Sequence, residues 1–233
     1  MMQIQQFRYS ADNLGYLVFS ENTGIAIDAG AVADMMDFAQ KKHITIACIT
    51  NTHLHHDHIS GNDRLLEKTG AVFLDCRDFA DNQKIQVGTE ALKVLTTPGH
   101  TRESVCFAAD DFLVTGDTLF NGTVGNCFSG DLEAFYHSLK KLTALAGHTK
   151  IFSGHDYVAE SLEIAEAIDP DNQDIQQYRR KYDPDLVVST LKEELLVNPF
   201  LRFNAQALIK KLQQRNFPCH TEKQRFISLM EAF

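Results

Sequence analysis

The chain has 233 residues, of which 44% are apolar and 23% charged, and its formal net charge is −9 at pH 7. This length and composition are typical of one globular domain, or of one domain with a small addition, and allow a sizeable core. The acidic balance argues against a nucleic-acid partner, because phosphate backbones are bound by clustered Lys and Arg.

The amino-terminal part alternates short strands with one helix. Residues 2–7, 16–19 and 24–28 are short apolar runs separated by turn residues, which predicts three strands. Residues 31–42 carry apolar side chains at helical spacing and predict a helix. Residues 44–49 are β-branched and apolar and predict a buried strand.

Four candidate metal ligands follow this strand directly. The segment Asn51-Thr-His-Leu-His-His-Asp-His58 contains His53, His55, Asp57 and His58. Neutral imidazole and carboxylate groups are the ligands that suit Zn, Fe or Mn. A His-rich surface turn is the alternative for this segment taken alone. The predicted place at a strand's carboxyl end favours a functional site, because α/β proteins usually put their chemistry there.

Three later junctions repeat this arrangement. His100 lies in the turn Thr97-Pro-Gly-His-Thr101, Asp117 follows the apolar run 112–115 and Gly116, and His155 follows the run 150–153 and Gly154. Each of the three residues therefore comes after a predicted strand that ends at a glycine turn. Four such junctions in order predict a metal centre.

From residue 131 the sequence predicts mainly helices, and no strand-like run follows His155. Asp131 caps a predicted helix that ends near residue 145, and residues 158–168 predict another that stops before Pro170. Capping boxes at Thr190 and Thr221 predict helices over 191–197 and from 222 to about 233. A further helix is predicted over 205–215, with Asn204 as its cap.

The ligand pattern resembles that of the metallo-β-lactamase superfamily, His-x-His-x-Asp-His followed by a His, an Asp and a His. The resemblance implies an α/β fold, an αββα sandwich, and two divalent metal ions per chain, with zinc expected and iron or manganese as alternatives. The implied ligands are His53, His55 and His100 for the first metal, Asp57, His58 and His155 for the second, and Asp117 as the bridge. Asp28, at a strand end, either orients a ligand imidazole or forms an Asx turn, and the sequence favours neither.

The carboxyl-terminal segments narrow the resemblance to glyoxalase II, the hydroxyacylglutathione hydrolases. The matching segments include Gly154-His-Asp-Tyr157, Asn198-Pro-Phe-Leu-Arg202 and Glu222-Lys223. The resemblance implies a metal-binding catalytic domain over residues 1–159 and a small helical substrate-binding domain over 160–233. It also implies hydrolysis of S-(2-hydroxyacyl)glutathione, such as S-lactoylglutathione, by a metal-bridging hydroxide, with Asp57 and Asp117 as catalytic carboxylates.

The implied thiol pocket departs from the family pattern. Tyr157 and Lys223 match two positions that hold glutathione in the family. Asn126 stands at a basic position, Phe128 at a Tyr position, and His220 where Arg is usual. Each change removes a charge or a hydrogen-bond donor that would meet the tripeptide. The enzyme is therefore expected either to bind glutathione thioesters loosely or to act on another thiol's thioester.

Other functions stay open. Persulfide dioxygenase relatives hold a single iron at the positions of His53, His100 and Asp117, and a lactonase would use the same hydroxide on an ester. A structural metal domain fits least, because such sites are usually closed Cys-rich cages. The amino terminus has no signal-peptide pattern, the cysteines show no CxxC pair, and no apolar run has the ~18 residues of a membrane span. We expect a cytoplasmic monomer or weak homodimer that contacts no membrane.

Overall fold

The computed structural model describes residues 1–233 without a gap. Two mixed β-sheets pack face to face, and their strands are listed here in chain order. The first sheet contains β1 (Gln3–Tyr9), β2 (Asn13–Ser20), β3 (Thr23–Ile27), β4 (Thr45–Thr50) and β5 (Val72–Leu74). The second contains β6 (Lys84–Val87), β7 (Glu90–Thr96), β8 (Val105–Ala108), β9 (Phe112–Gly116), β10 (Lys150–Ser153) and β11 (Ser189–Thr190).

Nine helices cover the outer faces of the sheets and form the carboxyl-terminal part. They are α1 (Val32–Lys42), α2 (His56–Ile59), α3 (Asn62–Thr69), α4 (Leu132–Thr143), α5 (Val158–Ile168), α6 (Gln173–Lys181), α7 (Leu191–Val197), α8 (Gln206–Gln214) and α9 (Glu222–Ala232). The predicted α/β sandwich with a helical unit after it is confirmed. None of the nine helices combines the length and the apolar character needed to cross a lipid bilayer.

Side chains that alternate along a strand pack into two different hydrophobic layers, one on each face of the sheet. In β2, Tyr16 and Val18 point into the core between the sheets, whereas Leu17 and Phe19 point to the outer layer that contains α1. Successive side chains of a strand face opposite ways, so one strand serves both layers. The outer face of the second sheet is covered by α4, α8 and α9, where the rings of Phe135 and Phe226 lie 5.9 Å apart.

The carboxyl-terminal helices share both cores with the sandwich. Leu162 of α5 and Ile175 of α6 belong to the core between the sheets, and α8 and α9 belong to the outer core of α4. The strand β11 pairs with β10 in antiparallel fashion, so the prediction that no strand follows residue 160 is wrong. The predicted domain boundary at residues 159/160 falls inside α5.

Two further details differ from the sequence predictions. The helix α6 was not predicted; its cap is Asn172, whose side chain accepts from the Asp174 N–H. Asn204 does not cap α8, because its side chain bonds Glu222 and Arg225 instead. The site is built where the carboxyl ends of β3, β4, β7, β9 and β10 meet, because the strand pairs β3–β4 and β9–β10 are parallel.

Candidate metal centre

The seven residues predicted as metal ligands converge at this edge of the two sheets. They form two groups in which the ligand atoms lie within 4.8 Å of one another. The first group is His53, His55, His100 and Asp117, and the second is Asp57, His58 and His155. His56, the first residue of α2, is exposed and belongs to neither group.

The first group presents three imidazole nitrogens to a common point. His55 Nδ1 lies 3.0 Å from His53 Nε2 and 3.1 Å from His100 Nε2. Three nitrogens in a tetrahedral zinc site with bonds of ~2.0–2.1 Å are separated by about 3.3 Å. The observed separations are close to this value, so the three nitrogens are placed to bind one ion together.

The second group places a carboxylate beside two imidazoles. His155 Nε2 lies 3.2 Å from Asp57 Oδ2 and 3.2 Å from His58 Nε2. The His58 Nε2 to Asp57 Oδ2 distance is 3.6 Å. Asn13 donates to Asp57 Oδ2 at 2.8 Å and Tyr9 donates to the Asp57 carbonyl at 3.1 Å, so this carboxylate is held in place.

Asp117 lies between the two groups. Its Oδ1 is 3.3 Å from His58 Nε2, and its Oδ2 is 3.5 Å from both His100 Nε2 and His155 Nε2. The Oδ1 atom is buried without a hydrogen-bond partner. A buried carboxylate oxygen without a partner costs free energy unless a cation compensates it. The residues present therefore fit divalent metal ions.

Four of the five ligand imidazoles, all except His55, are fixed through their other ring nitrogen. Such outer contacts set the ring orientation and the ligand nitrogen of metal-binding histidines. The contacts are His58 Nδ1 with Asp28 Oδ2 at 3.0 Å, His155 Nδ1 with Asp12 Oδ1 at 2.9 Å, His100 Nδ1 with the Asn126 carbonyl at 2.9 Å, and His53 Nδ1 with Thr52 Oγ1 at 3.1 Å. Of the two interpretations of Asp28, the structure favours the one that orients an imidazole.

Asp12, Asn13 and Tyr9 were not predicted from the sequence as parts of the site. The residue types of Asp12 and Asn13 predict only a turn between β1 and β2. No local signal separates them from an ordinary turn, because their partner His155 lies more than 140 positions away along the chain. They reach the site because Asn13 forms an isolated bridge with His155.

The electrostatics hold His53 and Asp117 in the protonation states that metal binding requires, whereas His58 is held as a cation that must lose its proton before it can bind a metal. Burial and the neighbouring His58 lower the pKa of His53 to about 2, so its ring stays neutral. For Asp117, burial raises the pKa, but the nearby His58 and the other imidazoles outweigh burial, and the net shift is downward. For His58, burial lowers the pKa, but Asp28 and Asp117 outweigh burial and raise it well above 6.5.

Two glycines leave space for the centre. A Cβ at Gly154 would lie 2.2 Å from Asp117 Oδ1, and one at Gly125 would lie 1.9 Å from the Asp117 carbonyl oxygen. Both contacts are shorter than non-bonded atoms allow. Glycine is therefore required at positions 154 and 125, because both turns approach Asp117 too closely for a side chain to fit.

The residues predicted to bind substrate fall into two sets. Tyr157 stacks on His155, with ring centroids 4.9 Å apart, and Phe128 makes edge contacts with His55 at 5.4 Å and His100 at 5.3 Å. The side chain of Asn126 is exposed. These three border the centre.

The second set lies at α9. Lys223 donates to Glu133 Oε1 at 2.7 Å, which ties α9 to α4. His220 is exposed just before α9, and its backbone N–H donates to Gln224. Neither residue bonds any of the seven candidate ligands.

The αββα sandwich and its buried His and Asp centre define a metallohydrolase of the metallo-β-lactamase superfamily, and residues 13–74 match the family model of that description. Residues 156–232 match the family model described as the hydroxyacylglutathione hydrolase C-terminus. The hydroxyacylglutathione hydrolase of Pelagibacter ubique is 34% identical over 233 residues, which cover 91% of this chain and 98% of the relative. The chain belongs to the hydroxyacylglutathione hydrolase family, which confirms the resemblance seen in the sequence.

Solved structures share the fold. ETHE1 from Myxococcus xanthus matches with a TM-score of 0.73 and 23% identity over 98% of this chain and 90% of that chain. TTHA1623, in a di-iron-bound form, matches with a TM-score of 0.60 and 22% identity over 81% of this chain and 95% of that chain. At these identities the likeness establishes the fold alone.

Proposed function

We propose that this chain hydrolyses S-(2-hydroxyacyl)glutathione thioesters, such as S-lactoylglutathione, to a hydroxy acid and glutathione. Membership of the family supports the reaction, since the Pelagibacter ubique relative is named hydroxyacylglutathione hydrolase and aligns over 91% of this chain. The observation that carries the proposal is the place of Asp117, whose two carboxylate oxygens face the two groups of candidate ligands.

We assign two divalent metal ions to the centre. Zinc is the proposed metal because imidazole and carboxylate suit it, and iron or manganese are the alternatives. The di-iron form of TTHA1623 supports a pair of ions in this fold. The proposed ligands are His53, His55 and His100 for one ion, Asp57, His58 and His155 for the other, and Asp117 for both.

When bound, such ions would lower the pKa of a coordinated water towards ~7, polarise the thioester carbonyl and stabilise the developing negative charge. The protein's own residues prepare the centre for this role. Asp57 is held by Asn13 and Tyr9, and Asp117 by its burial between the imidazoles. The leaving thiolate has a conjugate pKa of ~8.5, so it departs without a strong general acid.

The thiol half of the substrate is proposed to lie between Tyr157 and α9. Burial raises the pKa of Tyr157 to about 12, so its hydroxyl stays protonated and can donate to the tripeptide. Lys223 pairs with Glu133 at the surface, and such exposed pairs contribute only ~0–1 kcal/mol. Lys223 can therefore exchange this partner for a glutathione carboxylate. On this proposal residues 160–233 are the substrate-binding unit.

The remaining thiol contacts are proposed to be weak. Asn126 and Phe128 offer no charge that would meet a carboxylate, and His220 stands where the family usually has Arg. A thioester of a thiol other than glutathione is therefore the second candidate substrate. A cytoplasmic location and a monomeric or weakly dimeric state also stay predictions from the sequence.

A persulfide dioxygenase with one iron at His53, His100 and Asp117 is the second candidate reaction, and the shared fold with ETHE1 is the observation that keeps it open. The convergence of Asp57, His58 and His155 into a second group favours hydrolysis at two ions. A lactonase ranks third.

The test compares four substrates on one preparation of known metal content: S-lactoylglutathione, lactoyl-coenzyme A, an acyl lactone, and glutathione persulfide with oxygen consumption recorded. We expect cleavage of S-lactoylglutathione to be the fastest of the four. Preferred cleavage of the coenzyme A thioester would support thioester hydrolysis but would make coenzyme A, and not glutathione, the thiol of the substrate. Oxygen consumption with the persulfide, without thioester cleavage, would contradict the proposal.

A further inference from the structure

A network of buried polar side chains runs from the metal centre into the carboxyl-terminal helices. It begins at Ser153, whose Oγ lies 2.8 Å from the His155 carbonyl oxygen and 2.8 Å from Asn121 Oδ1. The Asn121 amide donates to Ser189 Oγ at 2.7 Å, and the Ser189 hydroxyl donates to Glu194 Oε1 at 2.6 Å. None of the four network residues is more than 2% exposed. This polar network therefore links the backbone of a candidate ligand to α7.

The carboxylate of Glu194 anchors the far end of the polar network. Its Oε1 also accepts the Tyr178 hydroxyl at 2.7 Å, and its Oε2 accepts the Gly122 N–H at 2.9 Å and the Asn198 amide at 3.2 Å. Buried polar groups cost free energy unless they are hydrogen bonded, and a network whose members are all bonded favours one arrangement of them. Glu194 therefore holds its end of the network in a fixed place.

The turn at residues 120–123 is held by the same part of the chain. Asn198, which follows α7, donates to the Thr123 carbonyl at 2.8 Å. Phe120, in this turn, makes an edge contact with the ring of His155, with centroids 5.9 Å apart. The α7 region therefore supports His155 in two ways, through its backbone carbonyl and through the ring of Phe120.

The carboxyl end of β10 needs such support. The pairing of β10 with β9 changes register between Phe152 and Ser153, so the regular ladder is interrupted there. The next residue is Gly154, where a Cβ would lie 2.2 Å from Asp117 Oδ1. Glycine leaves the backbone more conformational freedom than any other residue. The Ser153 hydroxyl restrains His155 on the other side of this glycine.

We propose that Ser153, Asn121 and Glu194 are positioning residues for His155, so that α7 holds the second ligand group in place. This inference rests on the proposed pair of ions, and it gives the carboxyl-terminal helices a task besides substrate binding. The polar network reaches the backbone of His155 and not its imidazole. A positioning role therefore predicts that damage to the network weakens binding of the ion that His155 holds and spares the other ion.

Three buried serines give matched variants. Ser153→Ala and Ser189→Ala each remove one hydroxyl from the polar network. Ser228→Ala is the control, because Ser228 is 1% exposed and its hydroxyl donates to the Pro218 carbonyl at 2.7 Å, outside the network. The affinity for each of two zinc ions is measured by competition with a chelator of known affinity. Both network variants should weaken binding of one ion about tenfold, a size known for lost outer contacts, whereas the control should weaken neither.

A second background identifies the ion that is affected. Asp57→Ala removes a carboxylate from the second ligand group, so the ion that remains is the one held by the first group. Adding Ser153→Ala to this background should leave the affinity for the remaining ion unchanged. A further tenfold loss would mean that the polar network acts on the first group, and it would overturn the inference.

Two other results for the network variants would also overturn the inference. Equal weakening of both ions would mean that the hydroxyls serve the fold in general, and unchanged affinities would mean that they do not position His155. In both cases the proposed pair of ions would stand, because the wild type is titrated beside the variants. A wild type that binds one zinc ion only would overturn the pair of ions and this inference together.

Discussion

Asp28 Oδ2 lies 3.0 Å from His58 Nδ1, and both side chains are fully buried beneath the metal centre. The same carboxylate accepts the backbone N–H of Thr52 at 2.8 Å and the Thr52 hydroxyl at 2.7 Å. That hydroxyl in turn lies 3.1 Å from His53 Nδ1. One carboxylate therefore orients an imidazole in each of the two ligand groups.

We predict that Asp28→Asn lowers metal affinity by about 10- to 100-fold, the usual effect of losing such an outer contact. The amide keeps the shape but removes the charge that supports His58. The measurement is competition with a chelator of known affinity, and Asp37→Asn on the exposed face of α1 is the control. Unchanged affinity would mean that Asp28 stabilises its turn and does not support the metal ligands.

Asp117→Ala is predicted to abolish hydrolysis, because it removes the carboxylate that faces both ligand groups. The expected loss in turnover is at least about 1,000-fold, a size typical of residues central to charge stabilisation. Turnover and metal content are measured on the same samples. Near-wild-type turnover with a full metal complement would contradict the assignment of Asp117.

The double variant Asn126→Lys, Phe128→Tyr is predicted to lower KM for S-lactoylglutathione by about tenfold, since it restores one charge and one hydroxyl to the thiol pocket. The same acyl group on N-acetylcysteamine is the control substrate, because it lacks the tripeptide carboxylates. If KM for the glutathione substrate stays the same, these two positions do not form the thiol pocket.

Glu194 gives a prediction about stability against pH. It is fully buried and accepts hydrogen bonds from Ser189, Tyr178, Gly122 and Asn198. Burial raises its pKa above 4.5 despite these donors. A carboxyl group with a raised pKa in the folded state stabilises that state most below pH 4.5, and this contribution is lost as the pH rises through the folded pKa.

The check is urea unfolding of wild type and Glu194→Gln from pH 4.5 to 7.5 with a chelator present. The wild type should be the more stable protein. The side-chain NH2 group of Gln would face hydrogen-bond donors that Glu194 accepts from, and two donors cannot bond each other. Its advantage should be largest at low pH and shrink as the pH rises, by about 1.4 kcal/mol per unit of pKa shift. An advantage that grows with pH would contradict the raised pKa.

The metal-ligand positions were readable from the sequence because the chemistry restricts them to a few residue types at strand ends. The strands β1 to β4, β7, β9 and β10 were readable as well, since each alternates or concentrates apolar side chains. Asp12 and Asn13 were not recognisable, because their contacts with His155 and Asp57 exist only after the two sheets pack. No local pattern carries that information.

The carboxyl-terminal part shows the same limit. The helix α6 buries only Ile175 and Tyr178 and is otherwise polar, so its apolar periodicity is faint. The strand β11 has two residues and forms only by pairing with β10. Asn204 has the residue type of a cap, but Glu222 and Arg225 compete for its side chain in the folded chain.

The central claim is that thioester hydrolysis requires two divalent ions in the centre built around Asp117. The most direct test is to strip the protein with a chelator and restore zinc in steps while measuring S-lactoylglutathione hydrolysis. We predict no turnover without metal and a plateau at about two ions per chain, as expected for a two-metal centre. A plateau at one ion, or full turnover by the stripped protein, would contradict the account.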